Sequence, residues 1–175
     1  MRAGARAMKS PKHGPAQRPN PAPHPGPRPS PAQRPSEVRV LMLTECDSLR
    51  TLLAEIGTTA RREPQRLPAG IVELRDRLRD YRAREETLLR PALAATDHAG
   101  PARLTRIQAA HAPRIVAVEE LAARAQRSDA DPRELALRVV VLRSELERDL
   151  DEDERCLLLP EVLQDDVCHC DQTDG

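Results

Sequence analysis

Four long stretches of the chain carry aliphatic residues three and four positions apart, and turn-forming segments rich in Pro, Gly or Asp separate them. Residues that recur at this interval lie on one face of an α-helix. No stretch alternates apolar and polar residues over a useful length, so we expect no sheet. The spacing predicts helices over about 36–62, from 70 to about 95, from the turn at 96–101 to about 126, and over about 132–164.

Short signals mark the predicted helix boundaries. Ser36 precedes Glu37 at the start of the first helix, and Asp131 precedes Pro132 at the start of the fourth. Side-chain oxygens at such positions accept hydrogen bonds from free backbone N–H groups, and proline is tolerated in the first turn. Pro113 lies inside the third stretch and removes a donor there, so we expect a kink or two shorter helices.

The core of such a fold must be aliphatic, because the 175 residues include no Phe, no Trp and one Tyr. Leu and Ala, together with abundant Arg and Glu, favour helices. Four amphipathic helices joined by short turns predict an all-α fold, an antiparallel up-down four-helix bundle over residues 36–165.

The segments that flank this bundle are polar and differ in charge. Residues 1–35 contain ten prolines and seven basic residues without an acid, so we expect a disordered basic arm. The arm is either a solvated extension or a site for an acidic or proline-recognising protein partner. Residues 166–175 form an acidic tail with the sequence Cys168-His169-Cys170. This tail is an exposed polar end, a metal-capturing segment or a redox-responsive thiol pair.

The composition argues against several classes of protein. The formal net charge is zero, so a nucleic-acid-binding polycation is not expected. No apolar run is long enough to span a bilayer, and no apolar segment follows the basic N-terminus as in a signal peptide. The four cysteines lack the spacing of a secreted, disulfide-bonded protein, which predicts a reduced, cytoplasmic protein. The dominance of Arg over Lys suggests a bacterial source. We predict no enzymatic activity, because the sequence has neither a glycine-rich nucleotide loop nor a nucleophile paired with a base.

Each of the four apolar stripes contains an ionisable residue. An isolated carboxylate in a core is costly, so it is retained where it is paired, protonated or bound to a metal. Because the stripes converge in a bundle, we interpret these residues as one candidate metal site. They are Cys46 in the first helix, Tyr81 and Glu85 in the second, His111 in the third and Glu154 in the fourth.

These residues also have purely structural interpretations. The cysteine can be a small buried hydrophobe, the tyrosine a core residue with a satisfied hydroxyl, and the histidine a hydrogen-bonded core residue. Glu85 and Glu154 can lie at the edge of a stripe and pair with an arginine such as Arg82 or Arg155.

A repeated segment contains both glutamates. Residues 79–91 and 148–160 each read Arg-Asp, then Glu five positions after the Asp, then Leu-Leu-x-Pro. Each copy places its glutamate, Glu85 or Glu154, inside an apolar row at helical spacing. Two similar helices are therefore expected to contribute one carboxylate each.

The order of these residues resembles a hemerythrin-like domain of the bacterial HHE cation-binding type, over about residues 36–165. The segments that carry the resemblance are Leu43-Thr44-Glu45-Cys46-Asp47-Ser48-Leu49-Arg50, then Tyr81 with Glu85-Glu86 and Pro91, then His111, then Leu150 with Glu154 and Pro160. Where the family has histidines in the first, second and fourth helices, this chain has Cys46, Tyr81 and Leu150. Arg155 replaces the second glutamate of the fourth helix.

The resemblance implies a four-helix bundle around a non-haem di-iron site, for dioxygen binding, iron handling or redox sensing. Because most of the histidines are replaced, it implies a site with fewer ligands, made of Glu85, Glu154 and His111. The Tyr81 phenolate and the Cys46 thiolate would be further ligands for one iron or zinc ion. Two functions follow as alternatives. One is a metal-binding module for sensing, sequestration or oxygen-related roles, and the other is a metal-free bundle that acts as a regulatory or protein-interaction scaffold.

Overall fold

The computed structural model describes residues 33–165, and this part of the chain is helical without a strand, which confirms the all-α prediction. The helices are α1 (Pro35–Arg62), α2 (Leu67–Arg84), α3 (Arg90–Thr96), α4 (Gly100–Ala125) and α5 (Pro132–Cys156). A 3-10 turn, Pro64–Arg66, precedes α2, and a π-helical turn, Glu85–Leu89, joins α2 to α3. The predicted arm at 1–35, except for its last three residues, and the predicted tail at 166–175 lie outside the described residues.

Helices α1 and α5 begin close to the predicted signals. At α1 the backbone N–H of Arg34 donates to the Glu37 carboxylate at 3.2 Å, and the helix begins at Pro35, one residue before the predicted start. At α5 the Asp131 side chain accepts a 2.9 Å hydrogen bond from the backbone N–H of Arg133, which confirms the predicted cap. Both carboxylates satisfy backbone donors where the helix dipole is positive.

The second predicted helix contains a π-helical turn that the spacing did not indicate. In a regular α-helix the ring of Pro91 would clash with the carbonyl of Thr87, and proline has no N–H to donate. The wider turn at Glu85–Leu89 accommodates the ring, and the helix continues to Thr96. Pro113 lies within one continuous helix, α4, so the alternative of two shorter helices is wrong.

Helix α5 ends at Cys156 rather than near residue 164, so its predicted end is wrong. Pro160 biases the residue before it away from the helical conformation, which favours an earlier end. Two arginines satisfy carbonyls there: Arg103 donates to the Cys156 oxygen at 3.0 Å and Arg39 to the Leu158 oxygen at 2.7 Å. The segment still closes the core through its buried leucines, Leu157, Leu158 and Leu163.

The helices pack around an aliphatic core. Helices α1 and α4 each contact both α2 and α5, and α3 contacts α1 and α4. Fully buried members of the core include Met42, Leu67, Ile71, Leu104 and Leu135. Near the ends of the described chain, the backbone N–H of Ser36 donates to Asp165 Oδ1 at 2.9 Å. Within residues 33–165 we find no helix whose length and apolar character would allow it to cross a membrane.

Candidate metal centre

Four ionisable side chains are buried where α4 and α5 meet the end of α2. Glu85 and His111 are fully buried, and Asp153 and Asp149 are 2% and 9% exposed. The two aspartates are four positions apart and therefore share one face of α5. A cavity of about 20 Å³ is lined by Tyr81, His111, Asp149 and Asp153 among other residues. This volume is enough for one water molecule or ion.

His111 lies beside carboxylates from one stretch of α5. Its Nε2 atom is 3.2 Å from Glu152 Oε2 and 3.5 Å from Asp149 Oδ1. The three ligand atoms lie within 4.8 Å of one another, close enough to bind a single metal ion. Arg114 donates to the other oxygen of Asp149 at 2.6 Å, which holds that carboxylate in place.

The second ring nitrogen of His111 faces a different carboxylate. Its Nδ1 atom is 3.7 Å from Asp153 Oδ1, which is beyond hydrogen-bond distance. Both atoms are buried, and neither has a hydrogen-bond partner within the described residues. Buried polar atoms are nearly always hydrogen-bonded, so this pair marks a place where a cation or a water molecule would be stabilised.

A hydrogen-bonded chain leads from α1 to the same aspartate. Cys46 Sγ is 3.4 Å from Tyr81 Oη, and this hydroxyl donates to Asp153 Oδ2 at 3.1 Å. Burial raises the pKa of the Cys46 thiol to about 12 and the pKa of the Tyr81 phenol well above its ordinary value. Burial, and then the nearby Glu85 carboxylate, raises the pKa of Asp153 to about 8. At neutral pH the thiol and the phenol are therefore protonated, and Asp153 keeps its proton unless a cation lies beside it.

Glu85 is compensated by an arginine. Its Oε2 atom accepts hydrogen bonds from Arg82 at 2.7 Å and from Gln108 at 3.1 Å. The other oxygen, Oε1, is buried and has no hydrogen-bond partner in the described part of the chain. Glu85 therefore makes the arginine pair that its structural interpretation requires, while one of its oxygens stays unpaired.

Glu154 lies at the edge of the cluster. Its side chain is 30% exposed and pairs with Arg50, which also donates to Asp151 at 2.8 Å. The row of buried residues on α5 passes from Leu150 to Asp153, a step of three, and so misses Glu154. A step of three and a step of four both return to the same helix face, which is why the sequence pattern did not distinguish the two acids.

The predicted ligands are thus divided among separate contacts. Among residues 33–165, one group of three possible ligand atoms lies close enough together to bind a metal ion. His111 is the one predicted ligand that belongs to this group. The other members of that group, Asp149 and Glu152, were not predicted, and neither was the buried Asp153. They lie in an acidic run, which usually indicates a solvated face. The spacing of four between Asp149 and Asp153 is the feature that could have identified them.

No protein-family model, no curated protein sequence and no solved structure matches the chain. The chemistry of the site is therefore defined by its own groups, which are one imidazole, four carboxylates and two neighbouring guanidinium groups. These groups are those of His111, of Glu85, Asp149, Glu152 and Asp153, and of Arg82 and Arg114.

Proposed function

We propose that the chain is a metal-binding helical bundle that holds one divalent transition-metal ion, iron or zinc, beside His111. The ligands are His111 Nε2 and the carboxylates of Asp149 and Glu152. One observation carries the proposal: these three ligand atoms lie close together around a fully buried imidazole.

The distances from the His111 nitrogen to the two carboxylate oxygens suit a first-row metal ion. Nitrogen and oxygen ligands bind zinc at about 2.0–2.2 Å, so neighbouring ligands in an octahedral or tetrahedral site are about 2.8–3.6 Å apart. The distances of 3.2 and 3.5 Å from His111 Nε2 fall in this range. An imidazole with carboxylates is a ligand set that iron, zinc and manganese accept.

The charge of the cluster also favours a cation. Asp149 has an arginine partner, but among residues 33–165 His111 is the one basic side chain in contact with the carboxyl groups of Glu152 and Asp153. Neither group thus contacts an arginine, although the Arg114 guanidinium lies near Glu152 and the Arg82 guanidinium near Asp153. A divalent ion would place positive charge in direct contact with them and would favour the ionised form of Asp153.

The proposal includes the arrangement of the helices and the role of the site. Helices α1, α2, α4 and α5 would form an antiparallel up-down bundle of hemerythrin-like type, with the ion between them. Their mutual packing supports this, since α1 and α4 each contact both α2 and α5. We assign the site to metal sensing or sequestration.

Titration of metal-free protein with Zn²⁺, and with Fe²⁺ under anaerobic conditions, tests the proposal through the melting temperature. A ligand that binds the folded state raises Tm in proportion to its affinity. Glu152→Gln is expected to weaken the affinity at least about tenfold, because replacing even a supporting residue of a metal site costs that much. Glu154→Gln is the matched control on the same helix, and we expect wild-type affinity because Glu154 pairs with Arg50.

The two variants separate the alternatives. If Glu154→Gln weakens binding and Glu152→Gln does not, the ligand set predicted from the sequence is favoured over the one proposed here. A wild-type protein whose Tm does not change when either metal is added would refute metal binding.

A metal-free scaffold is the second candidate, and the arginine pairs favour it. Glu85, Asp149 and Glu154 each have an arginine at hydrogen-bond distance. Carboxylates that are paired in this way do not need a metal. In this case the bundle is structural, and the basic arm at 1–35 recruits a protein partner. Purified protein would then contain no metal.

A further inference from the structure

A groove between α4 and α5 contains none of the residues of the metal centre. It has a volume of about 750 Å³, and its lining includes Leu121 and Leu142. Three aliphatic side chains of α5 are exposed in or beside it: Leu137 (74%), Val140 (51%) and Val141 (63%). Adjacent exposed aliphatic side chains next to an apolar groove are typical of a protein-protein contact surface.

Charged residues are segregated along this groove. Ion pairs fix the direction of the two helices, since Arg114 contacts Asp149 and Arg124 contacts Glu134. From the first pair to the second, the α4 residue lies closer to the C-terminus and the α5 residue lies closer to the N-terminus. The two helices therefore run in opposite directions along the groove. The arginines of the lining lie toward one end of the groove, and they are Arg124, Arg127 and Arg138. The glutamates Glu120 and Glu145 lie toward the other end. Within residues 33–165 neither of these glutamates makes an ion pair, whereas Arg124 and Arg138 both pair with Glu134 of their own chain and Arg127 pairs with Asp129.

We propose that this surface binds a second copy of the chain, with a twofold axis that passes near Val141. Antiparallel packing of α5 against its copy about this point places Leu137 of each chain against the groove of the other. The same axis brings Glu145, four positions after Val141, to Arg138 of the other copy, three positions before it. Residues 138 and 145 are seven positions apart and lie on one helix face.

Charge complementarity selects a second copy as the occupant. In an isologous contact one patch supplies both partners, so the glutamate end of each groove meets the arginine end of the other. The chain's own arm at 1–35 matches one end of the groove only, because its seven basic residues can meet Glu120 and Glu145 but it has no acid to offer the arginine end.

Sedimentation velocity on the full-length chain, over a range of concentrations, tests the apolar part of the contact. We expect a monomer–dimer equilibrium. Leu137→Glu places a charge in the apolar part of the contact and is expected to shift the protein to monomer. Val40→Glu is the matched control, since Val40 is 60% exposed on α1, and it should leave the dimer intact. Circular dichroism checks that each variant is folded.

Charge reversal tests the register of the two copies. Glu145→Arg and Arg138→Glu each place like charges together at two symmetric contacts, so each is expected to raise the dimer dissociation constant at least about tenfold. The double variant restores opposite charges and is expected to return the constant close to the wild-type value. The proposal is overturned by a chain that is monomeric at every concentration, by a dimer that Leu137→Glu leaves intact, or by a double variant no better than the single ones.

Discussion

The replacement Asp153→Asn is expected to stabilise the metal-free protein, and to do so more strongly as the pH rises. Burial and the Glu85 carboxylate raise the pKa of Asp153 from an ordinary value of 3.8 to about 8. The folded chain therefore holds this proton more tightly than the unfolded chain does. Between these two pKa values the aspartate makes the folded state less stable as the pH increases. Asparagine cannot ionise and still offers an oxygen to the Tyr81 hydroxyl.

The size of the effect follows from the two pKa values. Each pH unit between them lowers the free energy of unfolding by about 1.4 kcal/mol. From pH 5 to pH 8 the advantage of Asp153→Asn should therefore grow by about 4 kcal/mol. A change of 1 kcal/mol corresponds to roughly 2–4 °C in Tm for a chain of this length, so the difference is easily measured.

Urea unfolding in the presence of EDTA, at pH 5 and pH 8, measures this difference between wild type and variant. Asp151→Asn is the matched control, because Asp151 is 57% exposed and two positions away on α5, and it should show no comparable growth. An Asp153→Asn protein that is less stable than wild type at pH 8 would refute the reasoning. So would an advantage of the same size at both pH values.

Two further predictions concern groups beside the same cluster. Arg82→Ala would leave Glu85 as an uncompensated buried charge and is expected to cost about 3–5 kcal/mol of unfolding free energy, whereas adding Glu85→Gln should recover most of the loss. A urea double-mutant cycle measures both, and equal losses in the single and double variants would contradict the pairing. The Cys46 thiol, with its pKa of about 12, is expected to resist iodoacetamide at pH 8 under conditions that modify the less buried Cys156. Peptide mass spectrometry follows both thiols, and equal rates would show that Cys46 is reactive.

The positions of the long helices could be predicted because aliphatic spacing and turn residues are local signals. The cap at Asp131 is of this kind, and it is confirmed. The π-helical turn at Glu85–Leu89 and the end of α5 at Cys156 were not predicted. Both depend on how a proline and its neighbours are accommodated by the rest of the fold, which helical spacing does not describe.

The repeated segment shows why the site was only partly predicted. Alignment of the two copies on Pro91 and Pro160 pairs Glu85 with Glu154. In the structure Glu154 is partly exposed, and the buried acid next to it is Asp153, one residue earlier. The first copy has a π-helical turn between its buried acid and its proline, whereas the second copy leaves the helix before its proline. The two segments therefore follow different paths, and an alignment on the prolines shifts the acids by one position.

The metal content of the protein tests the central claim most directly. Elemental mass spectrometry on protein purified without a His-tag avoids metal that a tag would bind. The proposed site predicts about one iron or zinc ion per chain in the wild type, and loss of that metal in Glu152→Gln but not in Glu154→Gln. Wild-type protein without stoichiometric metal, or with metal that neither Glu152→Gln nor His111→Gln removes, would contradict it.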